Sequence, residues 1–137
     1  MDVEEFFRRY EAGERDFSGV DLSGANLEGV VLEDVNFVGA DLSGASLCEA
    51  SLNRVDLSKA ELSGASFSEA GLVEVNLTGA ILTNTFFGEP CMRRVNLTRV
   101  DLSEVNILWI ENERRIKGII LCDTTMPDGT IRNDHCI

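Results

Sequence analysis

The chain has 137 residues, 24 acidic against 12 basic side chains, a net charge of −12 and 44% apolar residues. That is one domain's worth of chain, and its acid excess disfavours direct binding to nucleic acid or to an anionic membrane, both of which rest on basic patches. No apolar run is long enough to span a bilayer, and the opening MDVEEFFRRYEAGE lacks the basic start and apolar core of a signal peptide, so a cytoplasmic protein is expected.

Val3, Phe6, Phe7 and Tyr10 fall at i, i+3, i+4 and i+7, which predicts a short helix over about residues 2 to 12 with one apolar stripe. Glu4, Glu5, Arg8 and Arg9 would face water, with Asp2 as N-cap and Glu5 completing a capping box. Residues 1 to 14 therefore read as a lid over whatever follows.

From Phe17 to Ile107 every fifth residue is large and apolar, nineteen positions without exception. Two residues before each stands a small or β-branched side chain, and only Arg15, Thr85 and Pro90 break that register. A helix buries positions three and four apart and a flat strand buries alternate positions, so a sustained spacing of five requires a chain that turns regularly. Within each five, the first and third positions alternate inward like a short strand and the last two supply a corner, often with glycine. Such a unit buries its apolar face only by stacking on its neighbours, which makes a solenoid.

The units ANLEG, ADLSG and VDLSG match the consensus A(D/N)LXX, and residues 15 to 109 resemble the pentapeptide-repeat family. The resemblance implies an all-β solenoid, a right-handed quadrilateral parallel β-helix of four repeats per coil, with the third residue of each repeat pointing to the axis. Nineteen sides make nearly five coils, roughly 20 to 25 Å of rod at the usual strand spacing. Residues twenty apart should then stack: Phe17 on Phe37, Phe67 on Phe87, and Leu22, Leu42, Leu62, Leu82 and Leu102 in one column. In the stretch TFFGEPCMRRV, Thr85 and Pro90 occupy inward positions and Pro90 has no N–H, so a bend or bulge is expected there.

Residues 110 to 137 read as a C-terminal cap, with Trp109 and Ile110 closing the last coil. A short buried strand is expected at Ile119, Ile120 and Leu121, a reverse turn at Met126-Pro127-Asp128-Gly129, and a returning strand at Thr130 to Arg132. A similar CDTTMPDGT tail follows the repeats in small family members abundant in cyanobacteria. The spacings of Cys48, Cys91, Cys122 and Cys136 match no metal motif, and free thiols are expected, a bond between Cys122 and Cys136 being the alternative.

Outward side chains twenty apart should form columns as well. Asp34, Arg54, Glu74 and Arg94 alternate in sign, and Ser23, Ser43, Ser63, Thr83 and Ser103 form a hydroxyl ladder, both adequately structural. Asp21, Asp41 and Glu61 on one face, and Glu49, Glu69 and Glu89 at a corner, instead stack like charges, which costs stability. A solvated acidic face would need nothing more; a surface for a basic protein partner is the sharper reading. The only histidine, His135, lies in a tail expected to be mobile, and no acid–base pair, activated nucleophile, metal cluster or phosphate loop is apparent, so neither catalysis nor a cofactor is expected. The function expected is that of a rigid acidic scaffold, monomeric or weakly dimeric. The family resemblance adds a gyrase- or topoisomerase-directed DNA mimic as one alternative, although such members are longer and pair through a C-terminal helix; a cation or small-molecule binder is the other.

Overall fold

The computed structural model describes residues 1 to 105 and 114 to 136. The chain winds as a right-handed quadrilateral β-helix behind a short N-terminal helix. Helix α1 (Val3–Glu11) starts at Asp2, whose carboxylate accepts the N–H of Glu5 at 2.8 Å. Strands β1 (Val31–Glu33), β2 (Ser51–Asn53), β3 (Gly71–Val73), β4 (Cys91–Arg93) and β5 (Ile116–Lys117) form a parallel sheet in sequence order along one face. The other three faces are held by single bridges such as Asp16↔Asn36, Asp21↔Asp41 and Asn26↔Ser46.

The twenty-residue circuit is direct in the register: Leu32 pairs with Leu52, Leu52 with Leu72 and Leu72 with Met92. Large inward residues donate to the next coil, as Leu22 N–H to the Asp41 carbonyl at 2.8 Å and Leu42 N–H to that of Glu61 at 2.8 Å; small inward residues close the turn in their own coil, as Ala25 N–H to Leu22 O at 3.0 Å, and Asp41 N–H donates back to Val20 O at 2.8 Å. The backbone is thereby paired above and below, and the leucine column Leu22, Leu42, Leu62, Leu82 and Leu102 is fully buried along the axis. The Phe67 and Phe87 rings stack at 5.2 Å, and Phe17 lies 6.1 Å from Phe37.

Closing the circuit requires one left-handed residue per corner. Glycine supplies many, but Asp34, Glu49, Arg54, Lys59, Glu69 and Glu74 adopt φ between 54° and 60°. At the corner before Pro90 the pattern shifts: with no proline N–H to close the turn, the left-handed residue is Gly88 (φ 58°) and the chain makes a simple bend. The expected disturbance is confined to that corner, since β4 keeps its register on β3 and no bulge forms. Thr85 is buried and satisfied, its hydroxyl donating to Leu62 O at 2.8 Å.

Helix α1 lies over the first coil as expected. Phe6 is completely buried, 4.7 Å from the Phe17 ring and 5.7 Å from Phe37. The Tyr10 hydroxyl accepts Glu33 N–H at 3.0 Å, and the Met1 ammonium donates to Asp21 O at 2.9 Å. Arg9 departs from expectation: it folds back 5.3 Å over the Phe17 ring and pairs with Glu14 instead of facing water.

The C-terminal segment also differs. No strand forms at Ile119 to Leu121; the five-residue period resumes instead, with Ile116, Leu121 and Met126 pointing inward and buried. The step is now twenty-four residues, pairing Met92 with Ile116, Asn96 with Ile120 and Asp101 with Thr125. Thr124 repeats the device of Thr85, its hydroxyl donating to Leu97 O at 2.8 Å. The hairpin joins β6 (Thr124–Thr125) to β7 (Ile131–Arg132) through the expected turn, in which Gly129 N–H donates to Met126 O at 2.9 Å. Trp109 and Ile110 lie outside the described residues.

Candidate functional site: acidic columns on a rigid rod

The register places Asp21, Asp41 and Glu61 directly above one another on the face whose inward residues are Leu22, Leu42 and Leu62. Each carboxylate is fixed by its own corner. Asp21 accepts Ser23 N–H at 3.0 Å and the Ser23 hydroxyl at 2.7 Å; Asp41 accepts the same groups of Ser43 at 3.0 and 2.6 Å. Glu61 does so with Ser63, its N–H at 2.9 Å. The serine ladder and the acid column are thus halves of one motif, in which an acid and a hydroxyl two residues later cap a turn. These bonds favour the ionised form: the Ser23 hydroxyl, then its N–H, hold the Asp21 carboxyl below the usual aspartate range, with the Met1 ammonium adding to the effect. Asp16 beside Ser18 and Asp101 beside Ser103 are lowered in the same way.

An apolar side chain that sequence reasoning passed over follows the three acids in the column, ahead of Asp101. Ile81 is the next bridge partner after Glu61 and is 48% exposed; around the following corner Phe86 is 56% exposed. Both occupy outward positions at which the preceding layers carry acids or serines, and that substitution was the available signal. An acidic stripe therefore runs into an apolar edge.

Glu49, Glu69 and Glu89 stand elsewhere, at the corner one full side further along the circuit, so the two acidic columns do not form one surface. Glu49 and Glu69 both take φ 58°, whereas at the third corner Gly88, and not Glu89, is the left-handed residue. All three are exposed, and none forms an ion pair among the described residues. The alternating column resolves into two exposed pairs, Arg54–Asp34 at 2.7 Å and Arg94–Glu74 at 2.8 Å. Exposed pairs of this kind contribute about 0 to 1 kcal/mol each.

Two expectations for the tail are corrected. Cys122 and Cys136 are joined in a disulfide, leaving Cys48 and Cys91 as the free cysteines. The final sides at Ile116, Leu121 and Met126 and the returning tail bring together two thiols that sequence spacing alone left apart. His135 is no mobile bystander: its N–H donates to Leu121 O at 2.9 Å and its Nδ1 accepts Leu121 N–H at 3.1 Å. Among the described residues no group of three His, Cys, Asp or Glu side chains could hold a metal ion, and no helix is long and apolar enough to cross a membrane.

Comparisons with known proteins place this geometry. The model of pentapeptide repeats matches in eight copies over residues 16–54, 49–84 and 72–107. A pentapeptide repeat protein of the Arabidopsis thaliana thylakoid lumen is 38% identical, with 73% of this chain and 72% of that chain covered and a TM-score of 0.58. One from Nostoc is 26% identical over 86% of this chain and 93% of that chain, TM-score 0.38. QnrB1, a plasmid-mediated fluoroquinolone resistance protein, is 17% identical over 83% and 65%, also TM-score 0.38. A comparison with curated proteins returned no match. With five-residue repeats matched along most of its length and a four-sided coil built from them, the chain belongs to the pentapeptide-repeat family.

Proposed function

We propose that the protein is a rigid, non-catalytic scaffold whose acidic column Asp21, Asp41 and Glu61 receives a basic surface of another protein, with Ile81 and Phe86 as the apolar anchor at its end. The observation that carries this reading is the fixation of each carboxylate by its own serine. The charges are preorganised at one strand spacing, so a partner loses little in ordering them, and ionised carboxylates side by side gain most when a cation lies between them. Exposed Ile81 and Phe86 supply the desolvated contact that charge alone lacks. The Glu49, Glu69 and Glu89 corner serves as a separate, weaker charged edge. A basic protein is favoured over nucleic acid or membrane, and the rod acts as a monomer or weak homodimer. The setting follows from the state of the Cys122–Cys136 bond: a persistent disulfide fits an oxidising compartment, and its reduction in the cell fits a cytoplasmic one.

The test is capture of partners from native extract by the wild-type chain, by Asp21→Asn/Asp41→Asn/Glu61→Gln and by Ile81→Ser/Phe86→Ser. A specific basic partner should bind the wild type, be released by salt and be lost with both variants. Recovery of the same proteins by the charge-neutralised variant at equal salt would sink the proposal. Inhibition of DNA supercoiling that survives the Ile81→Ser/Phe86→Ser change would favour topoisomerase-directed mimicry instead, and a metal-dependent rise in melting temperature would favour a cation binder.

A further inference from the structure

In the interior coils, the N–H groups of the large inward residue and of the corner residue two places on donate to the coil that follows, as Leu42 N–H to Glu61 O at 2.8 Å and Gly44 N–H to Ser63 O at 2.9 Å. The last coil has no successor, and the tail takes its place: Leu121 N–H donates to His135 Nδ1 at 3.1 Å, Asp123 N–H to the Asn133 side-chain oxygen at 2.7 Å, and Met126 N–H to Thr130 O at 2.8 Å. The Thr130 contact lies inside the β6–β7 hairpin and holds itself. The other two depend on residues 133 and 135, which lie within three residues of Cys136, the residue bonded to Cys122 in the coil. No buried apolar side chain lies beyond Met126 among the described residues, and residues 131 to 136 are all exposed. The end of the tail is therefore held by a few hydrogen bonds of modest net strength and by one covalent bond, against the ordering entropy of terminal residues.

The geometry points to the Cys122–Cys136 bond as a thiol–disulfide exchange site, a latch that a protein dithiol opens to release residues 133 to 136 and uncover the edge of the last coil. Cys136 is exposed and Cys122 half-buried, and both line a hollow of about 250 Å³ with Asn96, Thr98, Ile120 and His135, which gives a reductant access to the bond. An exposed disulfide is the labile kind. In the exchange, one thiolate of the dithiol attacks Cys136 Sγ, the S–S bond breaks, and its electron pair leaves on Cys122 Sγ, which takes up a proton. The second thiol of the reductant then displaces Cys136 from the mixed disulfide. Two cysteine thiols are formed and the dithiol is oxidised to its own disulfide. With the tail free, Leu121 and Asp123 present unpaired N–H groups at a parallel edge, which is where another strand can add. The coils from Phe17 to Leu102 are held by their own buried column and inter-coil hydrogen bonds, so the rod itself should persist.

Amide hydrogen exchange on the full chain tests this, comparing the oxidised protein, the protein reduced with dithiothreitol under native conditions, and Cys136→Ser. Reduction and the substitution should each raise exchange at Leu121 and Asp123 by about tenfold or more while leaving the Leu42 and Leu62 amides unchanged. Unchanged protection at Leu121 and Asp123 would overturn the latch, as would a bond that dithiothreitol reduces only after unfolding. Loss of protection throughout the coils would also overturn it, because the disulfide would then be a staple of the whole fold.

Discussion

Gly88 and Gly24 are both left-handed corner residues, at φ 58° and 69°, yet their surroundings differ. A Cβ on Gly24 meets nothing within 4 Å, so Gly24→Ala costs only the left-handed penalty of an L-residue, about 1 kcal/mol. A Cβ on Gly88 would lie 2.9 Å from Ser68 Oγ, 3.3 Å from the Phe86 ring and 3.4 Å from Ser68 Cα. The hydroxyl can rotate away, but the Cα belongs to the coil above and moves only with the backbone. Overpacking of that kind adds about 1 to 3 kcal/mol, for a total of about 2 to 4. At about 4 °C per kcal/mol, Gly88→Ala should melt roughly 8 to 16 °C below the wild type and Gly24→Ala about 4 °C below. Thermal denaturation followed by circular dichroism reads both. Equal losses for the two variants would refute the reasoning, because they would remove the close approach that the shifted corner before Pro90 imposes.

Leu62→Ala removes a fully buried member of the axial column and should cost about 2 to 5 kcal/mol in urea denaturation, since layers above and below limit collapse into the cavity. Asp16, Asp21, Asp101 and Asp128 all have carboxyl groups lowered by their hydroxyl partners, so the stability they contribute is present above the ordinary aspartate range and is lost as pH falls through the depressed folded values. Ser23→Ala should flatten the acid limb of the melting-temperature profile; an unaltered limb would mean the bond does not select the ionised form. Asp41→Asn/Glu61→Gln keeps an acceptor for each serine, leaves the Asp21 carboxylate that its own contacts favour, and removes two of the three stacked charges, so the melting temperature should rise at low salt and the gain should vanish at high salt. A gain independent of salt would point away from repulsion.

The repeat was legible because each residue's burial is set locally: Leu22 and Leu42 are inward for the same reason, and one unit describes the rest. Helix α1 was legible from its stripe and its N-cap, although the stripe could not reveal that Arg9 turns back onto Phe17. The final three sides are not legible in the sequence even though Ile116, Leu121 and Met126 keep the spacing of five. Four extra residues shift their phase, and a search in the old register finds only a break. The capping roles of Asn133 and His135 depend on where the tail returns in space, which linear spacing does not encode. At the acidic column, the twenty-residue spacing shows acids and serines as separate ladders; an acid followed two residues later by a hydroxyl is the local turn signal that joins them.

The outward columns exist only if side chains stack vertically at twenty residues, changing to twenty-four at the end. A methyl- and aromatic-resolved NOESY spectrum of the full chain tests it most directly. Leu62 should show contacts to both Leu42 and Leu82, the Phe67 ring to the Phe87 ring, and Met92 to Ile116. Contacts from Leu62 to residues at any other constant separation, with none to Leu42 or Leu82, would contradict the four-sided coil and the acidic column that stands on it.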